Sequence, residues 1–567
     1  MDNQRLIIWG FFAVMAYLTW QTWMEEYGSK AQAPVATTEG AALPVDKLDA
    51  LPELGIEDGE LPSVTAATGP VNTAETATEQ SSIIVVTTDV LELEINTRGG
   101  TIQKATMLEY PVAKDRPDEK VKLLNTEPGD HGAIRSWLRS ANGAATDANT
   151  LYEASARNFD LGDQDELVVS LTMTDASGLS FEKRFILTRG SYAIALQQDV
   201  RNNSETTWRG DQVTQLQRRS YEQERSMFDV DSYSFDGALV FYGDKAEKIK
   251  RKELLDEEPL NFTSDNGWYA SIQHHFLTAI VPTVGSTHIF QVRIDGNNLT
   301  ASVISAAQAV APGESASFDE TLFIGPKLQS QLDELHPKLK LSVDYGWLTI
   351  LSQPMFWLLS WIHGFVGNWG WSIIGVTILI KLAFYKLTEA SGRSMAKMRE
   401  IQPRMKALQE RYKDDKQALS QAMMDLYKRE KVNPAAGCLP ILIQMPFFLS
   451  FYWVLVESVE MRQAPFALWI TDLSSRDPFF ILPLIMGAAM LFQQRLNPAP
   501  ADPVQARVMQ IMPIMFTGFF AFFPSGLVLY WVTNTLLSIA QQWKINKVVH
   551  AETVARKQHK GKKKKAD

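Results

Sequence analysis

The residue best placed to do chemistry is a lysine embedded in an apolar run. Between residues 369 and 388, Lys381 is the first charged side chain, and Lys386 is the next. About 20 helical residues at 1.5 Å each cross the hydrocarbon core, and Trp369, Trp371 and Tyr385 fall where aromatic belts lie. An ammonium at the centre of such a helix costs about 3 kcal/mol on insertion scales and needs a compensating environment. Thr377 lies one turn earlier on the same face. Three readings stand side by side: a wet intramembrane site that attracts anionic groups, a lysine snorkelling to the headgroups, and a span shifted so that Lys381 ends it.

The elements that must position this lysine occupy the second half of the chain. Composition divides the molecule: residues 24–340 hold 28 Lys/Arg against 49 Asp/Glu (28 − 49 = −21), and the remainder holds 27 against 16 (27 − 16 = +11), which sum to the net −10. That asymmetry predicts an acidic water-soluble domain joined to a membrane domain flanked by basic loops. The single cysteine, Cys438, excludes an intramolecular disulfide, so an extracytoplasmic domain here must rest on its hydrophobic core.

Residues 6–23 form an uncharged apolar run, with Arg5 before it and Glu25 and Glu26 after it. Its length and its closing Trp20 and Trp23 favour an uncleaved anchor (residues 1–27) with a cytoplasmic amino terminus; Ala31 and Ala33 leave signal-peptide cleavage open. Residues 28–82, rich in Ala, Thr, Pro and Glu, predict a disordered tether. From Ile83 the period becomes two, as in Leu91, Leu93 and Ile95 alternating with Glu92 and Glu94. With turns at Arg98-Gly99-Gly100 and Asp295-Gly296-Asn297, this predicts a large antiparallel β-sandwich over residues 83–340. No nucleophile elbow, zinc motif or phosphate loop occurs in it. His274 and His275, placed in a strand, would point to opposite faces and share no metal.

A stretch of 36 residues without Asp, Glu, Lys or Arg precedes Lys381 and is too long for one upright span. Gly364, Gly367, Asn368 and Gly370 divide it into a helix lying on the outer surface (341–367) and a second span (368–388). Residues 386–431 carry 12 Lys/Arg against 7 Asp/Glu, which places them inside. Within 389–431, apolar residues spaced three and four apart, among them Met398 and Met405, predict a cytoplasmic helical hairpin bent at Pro403. Its methionines serve either as the hairpin's own seam or as a surface able to re-pack around many apolar partners. Residues 432–543 then yield spans three to six: a proline-containing run with Gln444, a short run from 478 to 494, and a 36-residue run split at Phe523-Pro524-Ser525-Gly526. The tail, 544–567, holds nine Lys/Arg and ends in Lys562, Lys563, Lys564 and Lys565. Such a run suits anionic lipid and equally the RNA of a ribosome.

Asn433-Pro434-Ala435-Ala436-Gly437-Cys438-Leu439-Pro440, Gln444-Met445-Pro446, Arg462-Gln463-Ala464-Pro465, Phe523 to Trp531 and Gln541-Gln542 closely resemble the YidC membrane protein insertases, and Ser394-Met395-Ala396-Lys397-Met398 resembles the start of that family's hairpin. The resemblance implies the Gram-negative form: a six-span helical membrane core counting the anchor, a periplasmic β-supersandwich and a cytoplasmic hairpin. It further implies an inner-membrane insertase and chaperone for nascent membrane proteins, acting alone or with the Sec translocon, without a cofactor and without bond chemistry. The family's groove and slide positions fall on Lys381, where arginine is usual, and on Thr377, Gln444, Met445, Phe448, Tyr530 and Trp531, the last commonly tyrosine. The alternative from the residues alone is a transporter of small anions or lipids using Lys381, although the repeated halves common in transporters are missing. A sugar-modifying enzyme in the β region is a third class.

Overall fold

The computed structural model describes residues 82–127, 129–141, 145–220, 234–256, 259–412, 415–430, 432, 439–496 and 503–563. The anchor, nearly all of the tether, the Asn433–Cys438 motif, Lys564 and Lys565 lie outside the described residues.

The period-two pattern becomes two large sheets. One has eleven strands, running from Leu260–Ser264 at one edge through Trp208–Arg219 and Gly132–Ser140 to Asn158–Asp160 at the other; the second has nine, centred on Ser315–Pro326. Pairing is antiparallel apart from one short parallel pair, Ile83–Thr87 with Asn158–Asp160. Leu91, Leu93 and Ile95 are fully buried while Glu92 and Glu94 remain partly exposed. They meet Ile194, Leu196 and Phe323 of the second sheet in one core. Only one face of each strand can be apolar in such a two-layer body, and the alternation in sequence records which face it is.

Two buried ionisable groups, Lys183 and Glu320, sit within this core without an ion-pair partner among the described residues. Lys183 donates to the Gly99 and Ser136 carbonyls at 2.7 and 2.6 Å. Gly100 makes room for it, since a Cβ there would lie 2.8 Å from the lysine chain, and its φ of +58° suits glycine in any case. Glu320 accepts from Gln212 Nε2 at 3.1 Å.

The second half is helical. We number its helices α1 (Thr349–Val366), α2 (Trp369–Ala383), α3 (Tyr385–Arg411), α4 (Lys416–Glu430), α5 (Leu439–Glu457), α6 (Ile481–Leu496), α7 (Pro503–Phe520) and α8 (Ser525–Lys563). Among the described residues no single helix is long and apolar enough to cross a membrane by itself; α2 and α3 together meet that test but bend by 68°. The break lies at Phe384, inside the 368–388 segment expected to form one straight span. The helix runs on through Pro403, where the hairpin was expected to bend.

Helix α1 turns Met355, Phe356 and Leu359 inward and leaves Ile350, Trp357, Trp361 and Phe365 exposed on one side, the pattern of a helix lying on a lipid surface. Helices α3 and α4 pack against each other, with Ile401, Met405, Leu426 and Val432 buried together and Met398 and Met423 packed against them. Those methionines therefore form the seam. Met395 is half-buried. The sequence boundary at 543 marks no structural break, because α8 continues to Lys563. Ala396 of α3 packs on Ile545 and Val549, and Arg393 pairs with Glu552 at 2.9 Å, so the start of the tail is docked on the hairpin.

Burial raises the Glu320 carboxyl to about 7, whereas the unfolded carboxyl titrates near 4.3. The folded state therefore binds the extra proton between those values, and stability falls as pH rises across that window. Denaturant titrations from about pH 4 to pH 8 should show the wild-type domain losing up to about 3 kcal/mol relative to Glu320→Gln; a pH-independent difference would refute the assignment.

Candidate functional site

Lys381 lies in the last turn of α2, where helix carbonyls favour a cation. Its Nζ donates to Ser538 Oγ of α8 at 2.8 Å, and that hydroxyl donates to the Asn534 carbonyl at 2.7 Å. One turn along α8, the Asn534 side-chain oxygen accepts from Gln444 Nε2 of α5 at 2.5 Å. Gln444 also faces the buried Tyr530 hydroxyl, which finds no hydrogen bond of good geometry. Tyr530, Asn534 and Ser538 are four residues apart and therefore share one stripe of α8. Gln541 extends the stripe, its amide donating to the Tyr385 carbonyl at 3.4 Å. The result is a row of neutral hydroxyls and amides from three helices with one cation at its end, and no carboxylate pairs with Lys381 among the described residues.

An aromatic wall adjoins the row. Phe448 lies 4.8 Å from Trp531, nearly perpendicular to it, and 6.1 Å from Tyr530. Trp531 in turn contacts Phe520 at 5.3 Å and Phe516 at 6.2 Å. Such rings offer apolar contact area with little rotamer entropy to lose.

The structure thus brings Lys381, Gln444, Phe448, Tyr530 and Trp531 together. Thr377 is separate in role: it is buried and its hydroxyl donates to the Ile373 carbonyl of its own helix at 2.6 Å. Met445 is exposed and has no part in the row. Lys562 and Lys563 end α8, far along the chain from the stripe. Asn534 and Ser538, which sequence reasoning passed over, are the partners that hold the row together. Their signal was the spacing of four from Tyr530.

His274 and His275 also differ from expectation. They occupy the turn between Trp268–Gln273 and Phe276–Pro282 rather than a strand, so alternation does not separate them, and their rings stack at 3.7 Å. Among the described residues no cluster of His, Cys, Asp and Glu is arranged to hold a metal.

Residues 83–358 match the family model of the YidC periplasmic domain, and residues 361–552 match that of the 60Kd inner membrane protein. The chain is 46% identical over 558 residues to the membrane protein insertase YidC of Methylococcus capsulatus, covering 98% of this chain and 99% of that one. The chain belongs to the YidC insertase family. The YidC of Pseudomonas putida is 44% identical over 562 residues, covering 98% and 99%. A solved active YidC insertase with its first transmembrane domain resolved aligns at 19% identity and TM-score 0.39, covering 82% of this chain and 92% of that one. In this YidC-family chain the sandwich is accordingly the periplasmic domain and the helical half belongs to the bacterial inner membrane.

Replacing Asn534 by Leu removes the acceptor for Gln444 while leaving the Lys381–Ser538 contact in place. A buried donor left unpaired costs about 1–3 kcal/mol, so thermal unfolding of the detergent-solubilised YidC-family chain should shift downward. An unchanged midpoint would show that the row is not a connected network.

Proposed function

We propose that this insertase works by offering a polar row, ending in a cation, to the segment of a client that must cross the membrane. The observation that carries this is the environment of Lys381: the ammonium meets a neutral hydroxyl and no carboxylate among the described residues. Its charge is therefore available to an anionic group on a client. An acidic amino-terminal tail drawn toward Lys381 exchanges part of its hydration for Gln444, Asn534 and Ser538, which lowers the barrier set by hydrocarbon. The apolar segment that follows slides along Phe448, Trp531 and the exposed Met445 into lipid. No covalent bond changes, so the work is that of an insertase and chaperone rather than of a chemical enzyme.

The positive-inside pattern supports six spans, both termini in the cytoplasm and a groove open to the cytoplasm and to lipid. The bend at Phe384 comes three residues after Lys381 and carries the chain from α2 into the basic hairpin. On that topology the lysine stands at the cytoplasmic end of its helix, within reach of water from that side. The hairpin and the basic end of α8 then face the ribosome and anionic lipid, and the insertase acts alone or with the Sec translocon. A lysine in place of the family's usual arginine keeps the charge and gives up the planar five-donor fork.

Two experiments in depleted membranes test these roles. Lys381→Glu should reduce insertion of a single-span client with an acidic tail by about tenfold, as expected when a full charge is reversed at about 1.4 kcal/mol per decade, while Lys381→Arg should retain it. Equal insertion by both variants would refute charge capture. In-frame removal of residues 40–322 should leave insertion proceeding, at a rate reduced a few-fold rather than abolished, and its complete loss from a chain still resident in the membrane would contradict a secondary role for the sandwich.

A further inference from the structure

The periplasmic domain grips the outer end of the helix that carries the groove residues. Helix α5 ends at Glu457, and its last carbonyls have no partner within the helix. The Val456 carbonyl faces His274 Nε2 at 3.1 Å. His275 is buried against the Glu457 backbone, and Ser234 donates to the Glu457 carboxylate at 2.8 Å. Tyr345 meets the hydroxyl of Ser458 at 3.3 Å. Just beyond, Arg462 donates to the Pro111 and Val112 carbonyls at 2.8 and 3.1 Å. These β-domain contacts all fall on residues 456–462, and Phe448 and Gln444 lie on the same helix, about two and three turns inward respectively.

We propose that the His274–His275 turn is a positioning clamp, the point at which the periplasmic domain fixes α5 and with it the placement of Gln444 and Phe448 in the groove. This rests on the groove reading above. The clamp is not the exposed tip of a hairpin: the two rings stack, and Lys327, itself buried, donates its backbone N–H to the His275 carbonyl at 2.9 Å, which fixes the turn from behind.

The clamp carries a pH dependence with a definite sign. The charged groups facing the pair are Lys327 of the β domain, Arg462 of the loop after α5 and Glu457 of α5, whose carboxylate is already taken up by Ser234. Burial, with His274, Lys327 and Arg462 nearby, holds the His275 imidazole well below its ordinary value. It is therefore neutral when seated, and a released histidine takes up a proton near pH 6.5. Acidification below that point favours the released state.

The test is hydrogen exchange of the amides of residues 450–457 in the full chain, in lipid nanodiscs, together with the insertion rate of one client. His274→Ala/His275→Ala should speed exchange there by about fivefold or more after correction for intrinsic rates. His274→Gln/His275→Gln, which keeps a donor at each site, should restore slow exchange. After the same correction for intrinsic rates, lowering the pH from about 7.5 to about 5.5 should speed exchange in the wild type and leave the Gln variant unaffected. Unaltered exchange in the Ala variant would overturn the clamp, as would an equal pH response in wild type and Gln variant. Because the readout is exchange at α5, these results stand whether or not Lys381→Glu impairs insertion. If the clamp positions the groove, the Ala variant also slows client insertion by about threefold with Lys381 intact; faster exchange with unchanged insertion would leave a purely structural contact and overturn the positioning role.

Discussion

The membrane half depends on one electrostatic constraint: an ammonium among apolar helices must be solvated by something other than hydrocarbon. The chain meets it with a hydroxyl. Ser538 accepts a hydrogen bond from the Lys381 ammonium and donates one to the Asn534 carbonyl, and the Asn534 side-chain oxygen accepts one from the Gln444 amide. Because every member of that row is neutral, the cation is solvated without being neutralised. A carboxylate in place of Ser538 would have formed a buried ion pair; on the proposed role, the neutral hydroxyl leaves the charge open to an incoming anion.

The same economy shapes the two halves of the molecule. The periplasmic sandwich tolerates Lys183 and Glu320 in its interior because carbonyls and an amide meet them. Its surface then reaches out to α5 and the following loop through histidine, serine, tyrosine and backbone carbonyls. Contacts of that kind are directional, so they fix the helix end rather than merely covering it.

Much of this was legible from sequence where the signal is local. The alternation of Leu91, Glu92, Leu93 and Glu94 declares a strand with one buried face, and the Met398–Met405 spacing declares a helix with one apolar face, which the fold buries as a seam. Lys381 stands out because a charge in an apolar run is rare. What stayed hidden is what only tertiary contact creates. Asn534 and Ser538 look like ordinary residues of an apolar helix until Gln444 and Lys381 arrive from other elements. The break at Phe384 has neither glycine nor proline to announce it. The His274–His275 turn, flanked by Gln273 and Phe276, lacks the usual turn residues, so a strand was the natural expectation and the stacked pair was not. Thr377 shows the converse: its position on the helix was correct, but its hydroxyl is engaged by its own backbone.

Helix α8 runs without interruption from Ser525 to Lys563, 39 residues, or about 58 Å at 1.5 Å per residue. Tyr530, Asn534 and Ser538 sit near its beginning, and the basic segment forms its far end. A helix of this length is stiff along its axis, so a rotation imposed at its far end would be carried, one hydrogen-bonded turn after another, to the residues that solvate the cation.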